Sequence, residues 1–261
     1  MFNDISKPSS TLRFSIITAT NNSAETIDKC LNSIASQTYQ NIEHIVIDSV
    51  SSDNTLEKIK KHSFRNLRII SEIDDGIYDA LNKGIRNSTG DIIGFLHSDD
   101  FFSNNKVVEN IIKVFEDDNS VSAVYGDCEY FSKNNHHKII RKWRSRSFNS
   151  KLLKNGWMPP HTALYLKKEV MQSVGGFDKS YKISGDYMCI LKIFSKKNFR
   201  SYYISKVLIK MRMGGASNGS LYRIFLKTKE DWRALRANNF SFFSSFRAII
   251  LKNLSKIVQF L

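Results

Sequence analysis

The chain reads as an α/β protein: a mainly parallel sheet flanked by helices, followed by a C-terminal helical extension. Three observations lead there. Short apolar runs alternate with segments of helical periodicity through the first half of the chain, which is the pattern of repeated βαβ units. The apolar runs end in hydroxyl or acidic residues (Thr18, Asp48, Glu72 with Asp74, Asp99), as strands do when their ends line a crevice. After Gly219 the character changes to basic, aromatic-rich and helix-periodic.

Leu12 to Thr18 is the first strand. Ile27, Cys30, Leu31, Ile34 and Ala35 then recur at helical spacing, with Asn22 and Glu25 placed as an N-terminal cap pair. Ile42 to Asp48 is the second strand, and Ser51-Ser52-Asp53 opens a short helix through Ile59. Leu67 to Ser71 is the third strand, and it leads into a helix that turns Ile77, Leu81 and Ile85 inward. Ile92 to Leu96 is the fourth, and the chain from Ile92 to Asp100 (Ile-Ile-Gly-Phe-Leu-His-Ser-Asp-Asp) is the centre of the pattern. It is a buried strand ending abruptly in two carboxylates, and in an open α/β sheet the carboxyl ends of strands are where ligands bind. Oxygen ligands there suit a hard divalent cation that leaves its other positions to water and substrate phosphates. Read alone, Ser98-Asp99-Asp100 serves equally as a helix cap.

Composition narrows the function classes. A chain of 261 residues with 41% hydrophobic content holds one large α/β domain or two small ones, and a charge of +14 calls for an anionic partner: nucleic acid, a membrane surface or a phosphorylated substrate. Cys30, Cys128 and Cys189 lie far apart, which argues against a disulfide framework or a zinc site and for a reducing cytoplasm. Met1 to Thr11 lacks the apolar core of a signal peptide, and no run reaches the roughly 18 apolar residues of a membrane span. The turn after the first strand, Ala19 to Ala24, has no glycine, so a dinucleotide fingerprint is absent, as is a GxxxxGK[ST] phosphate loop. A nucleotide would be held by strand-end side chains and by a metal on its diphosphate.

Further along, Val107, Val108, Ile111, Ile112 and Phe115 mark a core helix, and Ala123 to Gly126 a strand. From Phe131 through Lys168 there is no acidic residue, while ten Lys or Arg occur. This is either a solvated surface or a site of attraction for anionic lipid or a lipid-diphosphate acceptor. Met158-Pro159-Pro160-His161 precedes a strand at Ala163 to Leu166, and the two prolines fix the backbone ahead of the histidine. Ser184-Gly185-Asp186-Tyr187 opens another helix, and Tyr202 to Leu208 is a strand followed by Lys210 to Asn218, read as a glycine-containing lid over the donor or as a plain turn with a surface cation. In the tail, Phe243, Phe246, Ile250, Leu254, Ile257 and Leu261 fall on one helical stripe, with Lys252, Lys256 and Gln259 opposite. Such a helix lies in a bilayer interface, or packs on the catalytic domain or on a second subunit.

Four stretches carry a resemblance to a known family. They are Ser15-Ile16-Ile17-Thr18-Ala19-Thr20-Asn21-Asn22, then Ile45-Val46-Ile47-Asp48 with Ser51-Ser52-Asp53-Asn54-Thr55, then Ser71-Glu72 to Gly84, and Gly94 to Asp100. In this order they resemble the successive motifs of family 2 glycosyltransferases, over about Leu12 to Asn218. The resemblance implies the GT-A fold, a nucleotide-diphosphate-sugar donor, Mn2+ or Mg2+, and inversion at the anomeric carbon. The segment from Asp75 to Gly84 is similar to versions found in enzymes that build bacterial surface polysaccharides such as O-antigen or capsule.

What the resemblance implies residue by residue is specific. Thr18, Ala19, Asp48, Asp74 and Asp99 would contact the donor, Asp48 through the base, typically uracil; apart from the resemblance, Arg212 or Lys210 in the glycine-containing segment is placed to clamp the leaving diphosphate. Asp99 and Asp100 would hold the metal, with His97, at the first position of the DxD-like motif, able to join only as the neutral imidazole. His161 would contact acceptor or metal-bound phosphate, and Asp186 would be the catalytic base. The chain departs from the family pattern at Asn21, where an aromatic residue usually faces the base. It departs again at Val50, a β-branched residue where glycine is usual and hence a loop of different shape is expected, and at Gly185, where an acid is common.

The resulting expectation is a catalytic domain over 1–218, divided into a nucleotide-sugar half at 12–100 and an acceptor half at 101–218, with a basic amphipathic tail at 219–261. The enzyme would extend a saccharide or lipid-diphosphate-linked acceptor at the inner face of a bacterial plasma membrane, peripherally bound to its anionic surface, with the C-terminal helices as an alternative oligomer contact. A non-catalytic nucleotide-sugar binder or membrane scaffold is the alternative. A nucleic-acid partner is disfavoured because no RNA or DNA module is recognisable.

Overall fold

The computed structural model describes residues 11–133, 135–214 and 221–259. Its centre is a nine-stranded sheet in the order β3-β2-β1-β4-β8-β6-β9-β5, with β7 pairing on β6. The first half is the parallel one: β1 (Phe14–Thr20), β2 (Ile42–Asp48), β3 (Leu67–Ser71) and β4 (Ile92–Phe95) run in the same direction. β1 and β2 are buried along their whole length, as strands covered by helices on both faces must be. The covering helices are α1 (Ile27–Ala35), α2 (Thr55–Lys61) and α3 (Ile77–Asn87). Because the strands are parallel, their carboxyl ends share one edge, and the β1–β2 register sets Thr20 beside Asp48.

The second half is mixed. β5 (Phe101–Phe102), α4 (Val107–Asp117), β6 (Ala123–Ser132) and β7 (Asn135–Trp143) are followed by β8 (Leu164–Lys167) and α5 (Lys168–Gln172). Then come α6 (Gly185–Phe194) and β9 (Ser201–Arg212). β8 runs antiparallel to both β4 and β6, whereas β9 is parallel to β6 and antiparallel to β5. The β5–β9 pairing, Phe101 against Lys210, carries the end of β9 alongside the two carboxylates that follow β4.

Several local expectations are corrected. α1 begins at Ile27, and Asn22, at φ 48°, accepts from Ser52 N (2.8 Å) instead of capping a helix. It thereby ties the β1 loop to the β2 loop. Val50 adopts φ 49°, so the chain keeps the left-handed turn that glycine would make there and does not reshape the loop. Ile77 is exposed, and the apolar contact at the start of α3 comes from the buried Tyr78. The basic run contains a strand, β7, that lacks a clear apolar alternation.

The tail is part of the core. α7 (Leu221–Ala237) and α8 (Phe242–Val258) place Ala234, Leu235 and Ala248 in the same apolar cluster as β1 and α6. Gly156, at φ 70°, lets α8 approach so closely that a Cβ there would lie 2.1 Å from the Ala248 carbonyl oxygen. Gln259 accepts from Arg141, and its carbonyl accepts from Lys142 N (2.8 Å), closing the end of the tail onto β7. α8 therefore sits with its lysines inward and its apolar stripe outward. Lys252 is buried, while Phe243, Phe246, Ile250 and Leu254 are exposed. The stripe's last members, the Ile257 side chain and Leu261, lie outside the described residues, as does the lid segment from Gly215 to Asn218.

Candidate active site

A cavity of about 940 Å³ opens at the carboxyl edge of the sheet. The end of β4, the loop before β8, the first turn of α6, the end of β9 and the inner faces of α7 and α8 all border it. Of the residues expected at the site, Ala19, His97, Asp99, Asp100, His161, Asp186 and Arg212 line it together.

The carboxylate pair sits on a tight turn, Asp100 N donating to His97 O (3.0 Å). Asp100 is buried, and its Oδ1 accepts from Arg212 N (3.2 Å). Its Oδ2 is buried and has no hydrogen-bond partner among the described residues. Burial, and then the neighbouring Asp99, raises the Asp100 carboxyl well above the ordinary range. Burial also raises Asp99, opposed in part by Arg212. Two desolvated carboxylates side by side, one with an orphaned oxygen, fit a divalent cation that takes one or two protein ligands and fills its octahedron with phosphate and water. His97 does not complete such a set: among the described residues no three His, Cys, Asp or Glu side chains are grouped to hold a metal ion.

His97 has another partner. Its Nε2 lies 3.1 Å from His161 Nε2, and His161 Nδ1 lies 3.2 Å from Asp186 Oδ2. Burial, and then His161, depresses His97 to about 3, so it is neutral. A carboxylate accepts, so His161 donates from Nδ1; its Nε2 then accepts from His97 Nε2–H. The three side chains form one directed chain ending at Asp186, whose Oδ1 accepts from Tyr187 N (2.8 Å).

The turn that presents Asp186 is over-determined. Glu230, on α7, accepts from Lys182 N (2.8 Å), Ile183 N (2.9 Å) and Ser184 N (2.8 Å). Tyr78 donates to Ile183 O (2.6 Å) and accepts from Gly185 N (2.9 Å). A Cβ at residue 185 would meet the Tyr78 ring at 2.7 Å, which accounts for glycine where an acid is common. Sequence reasoning missed both Glu230 and Tyr78. A signal existed for the first: Glu230 and Asp231 are the only acidic residues after Asp186.

Other expected donor residues are placed elsewhere. Thr18 is buried on the opposite side of its strand, its hydroxyl 2.9 Å from His44 Nε2, because side chains alternate along a strand and Ala19 takes the cavity side. Asp48 is buried and already accepts from Ser51 N (3.0 Å), Ser51 Oγ (2.5 Å) and Ser71 Oγ (2.7 Å). Asp74 is paired with Lys83 (2.7 Å), which also reaches Glu72 (2.9 Å) and Asp79 (3.5 Å). Thus Asp48 and Asp74 shape the loops beside the crevice. Arg212 ends β9 against Asp100, within electrostatic reach of Asp99. The basic run contributes as well, because Arg141, Lys142, Arg144 and Arg146 line the cavity.

Comparisons with known proteins agree with this geometry. Residues 15–172 match the model of the family described as Glycosyl transferase family 2. The chain is 28% identical over 218 residues to a PGL/p-HBAD biosynthesis glycosyltransferase of Mycobacterium bovis, covering 82% of each chain. Among solved structures it is similar to S. aureus TarS 1-349 in complex with UDP-GlcNAc, with TM-score 0.68 and 18% identity over 87% of this chain and 65% of that one. It is equally similar to the mannosyltransferase PcManGT from Pyrobaculum calidifontis in complex with GDP-Man and Mn2+, with TM-score 0.68 and 19% identity over 97% and 74%. At these identities the structural likeness establishes a common GT-A fold.

Proposed function

The chain belongs to glycosyltransferase family 2, and from that membership we propose an inverting, divalent-metal-dependent enzyme that moves a sugar from a nucleotide-diphosphate donor, UDP-linked, to a saccharide or lipid-linked saccharide. The observation that carries this reading is that Asp99 and Asp100 share one cavity with Asp186. The first two can hold a cation and the third can take a proton. The UDP-GlcNAc and GDP-Man complexes of the similar structures, one of them with Mn2+, support a donor of this class.

Asp99 and Asp100 would hold Mn2+ or Mg2+, which offsets charge on the departing diphosphate. Arg212, at the same end of the cavity, adds a fixed positive charge there. Ala19 leaves room beside the β1 end, and Asp48, closed by its serines, sets the loop against which the base lies. At the other end, Asp186 takes the proton from the acceptor hydroxyl as its oxygen bonds to the anomeric carbon and the bond to the diphosphate oxygen breaks. His161 positions this carboxylate by donating from Nδ1 while leaving lone pairs on Oδ2 for the acceptor proton. His97, held neutral, keeps His161 in the tautomer that donates to Asp186.

Peripheral attachment to a bacterial membrane is supported by the outward apolar face of α8, together with the basic excess of the chain. Among the described residues no helix is long and apolar enough to cross a membrane. Calorimetric titration with UDP, GDP and dTDP, each with Mn2+, Mg2+ or chelator, tests the proposal. Metal-dependent binding of one nucleotide is expected, and no binding of any of them would overturn it.

A further inference from the structure

The cations that line the cavity do not all stand with the carboxylate pair. Arg212 stands with Asp99 and Asp100. Lys227 on α7 and Lys252 and Lys256 on α8 line the same cavity from the C-terminal helices, where Lys252 is near enough to Asp186 and Asp231 to feel both charges. Lys252 pairs with Asp231 (3.0 Å) and lies over the Tyr187 ring, 3.2 Å from its centroid. Three ammonium groups thus share one ion-paired carboxylate, Asp231, with Asp186 in reach of Lys252, because Glu230 is committed to the backbone of residues 182–184.

We propose that Lys227, Lys252 and Lys256 form a binding site for a phosphate or diphosphate group carried by the acceptor, beside the carboxylate that activates its hydroxyl. This rests on the transferase reading and names the chemistry of its second substrate. The position favours acceptor over donor: the lysines stand with Asp186, whereas the donor's diphosphate belongs with Asp99, Asp100 and Arg212. Inward lysines on a helix whose outward face is apolar would also set a lipid-borne phosphate at the right depth.

The electrostatics show the same demand. Burial, and then the Lys227 and Lys252 ammoniums, hold Lys256 down at about 7. Asp231 opposes this from α7, and Arg141 and Lys142 of β7 border the same cavity. An arriving anion would relieve the crowding and restore a full charge on Lys256, so binding at pH 7 to 8 takes up protons.

The test is calorimetric titration of the full chain with farnesyl diphosphate, inorganic pyrophosphate and farnesol. Chelator is present, so that no diphosphate is held through metal at Asp99 and Asp100. Lys227→Gln and Lys256→Gln are compared with wild type, and UDP with Mn2+ is titrated separately. Lys252→Gln is avoided because it would strand the buried Asp231.

Both diphosphates are expected to bind wild type, farnesol not to, and each variant to weaken diphosphate binding at least ten-fold with UDP affinity held within two-fold. Proton uptake, read from buffers of different ionisation enthalpy, should vanish in Lys256→Gln. Tighter binding of farnesyl diphosphate than pyrophosphate would identify a lipid source, and equal binding a free phosphate; either ranking satisfies the proposal. Diphosphate binding that is absent, or equal in wild type and variants, overturns it while UDP binding leaves the transferase reading standing. Failure of UDP itself to bind overturns both.

Discussion

His161 Nδ1 lies 3.2 Å from Asp186 Oδ2, so the proposed base is held by a histidine from a different element. Under the proposed function the contact adds a positioning role for His161 to the acceptor or phosphate contact expected from sequence. It also separates two kinds of damage. Asp186→Asn is expected to lower transfer by about 10²- to 10⁴-fold, the range for removing a general base, with donor affinity unchanged. His161→Ala, which loosens the base without removing it, should lower kcat by about ten-fold, or ~1.4 kcal/mol, and alter the pH profile. Steady-state rates across pH, with nucleotide binding as control, check both. Equal losses in the two variants would instead make His161 itself the base.

The carboxylate pair makes a prediction about stability as well as activity. Burying Asp99 and Asp100 raises both carboxyls, so in the metal-free protein their ionisation opposes folding at neutral pH. That cost is relieved as pH falls through the raised values, because the folded state then binds protons that the unfolded state does not. Asp100→Asn, which keeps the acceptor for Arg212 N, should raise the apo Tm and abolish metal-dependent UDP binding. In wild type, donor binding should fade on acidification at a higher pH than for ordinary carboxylates, since protons compete with the cation. Mn2+ with UDP at about 100 times Kd should stabilise the wild type by about 2.7 kcal/mol. Scanning calorimetry with and without metal measures all of this, and an unchanged Mn2+ response in Asp100→Asn would remove this residue from the metal site.

Val50 offers a test of loop strain. A β-branched residue at φ 49° occupies a region that costs roughly 1–2 kcal/mol for an L side chain. The neighbouring bonds of Asp48 to Ser51, and of Asn21 Nδ2 to Ser49 O (2.6 Å), hold it there. Val50→Gly should therefore stabilise by about 1 kcal/mol after the unfolded-state entropy of glycine is subtracted. Chemical denaturation would reveal the gain, and a loss of stability would show that the Val50 side chain, although exposed, contributes more than its backbone costs.

Much of the donor half was legible because βαβ units repeat a simple pattern. β1, β2 and β4 are short, fully buried strands rich in Ile, Val and Phe, and α4 buries every residue that its periodicity selects. What escaped was set by tertiary contact. β7 alternates poorly because its cations turn to the cavity and to Gln259, and no local periodicity announces a strand made of such residues. The Thr18 hydroxyl was assigned to the crevice by its position at a strand end, although strand alternation sends it to His44. Asp48, Asp74 and His97 were recognised as residue types, but their partners Ser71, Lys83 and His161 depend on packing between separate segments. The tail showed its two faces, and only the packed structure shows which one points out.

That orientation determines how membrane attachment should be tested. Deleting 243–261 would remove Ala248 and Lys252 from the interior, so released protein would be indistinguishable from unfolded protein. Substitution on the outward face avoids this, since Phe246 and Ile250 are exposed and their replacement costs the fold little. If α8 lies in a bilayer interface, each inserted Phe contributes about 2 kcal/mol. Phe246→Asp should then weaken binding to vesicles containing anionic lipid by about thirty-fold while leaving Tm and nucleotide affinity in place. Co-sedimentation at two salt concentrations separates this apolar contribution from that of the basic surface, which salt screens. Unaltered sedimentation of Phe246→Asp, together with a switch from dimer to monomer in ultracentrifugation, would assign the stripe to a second copy of the chain instead.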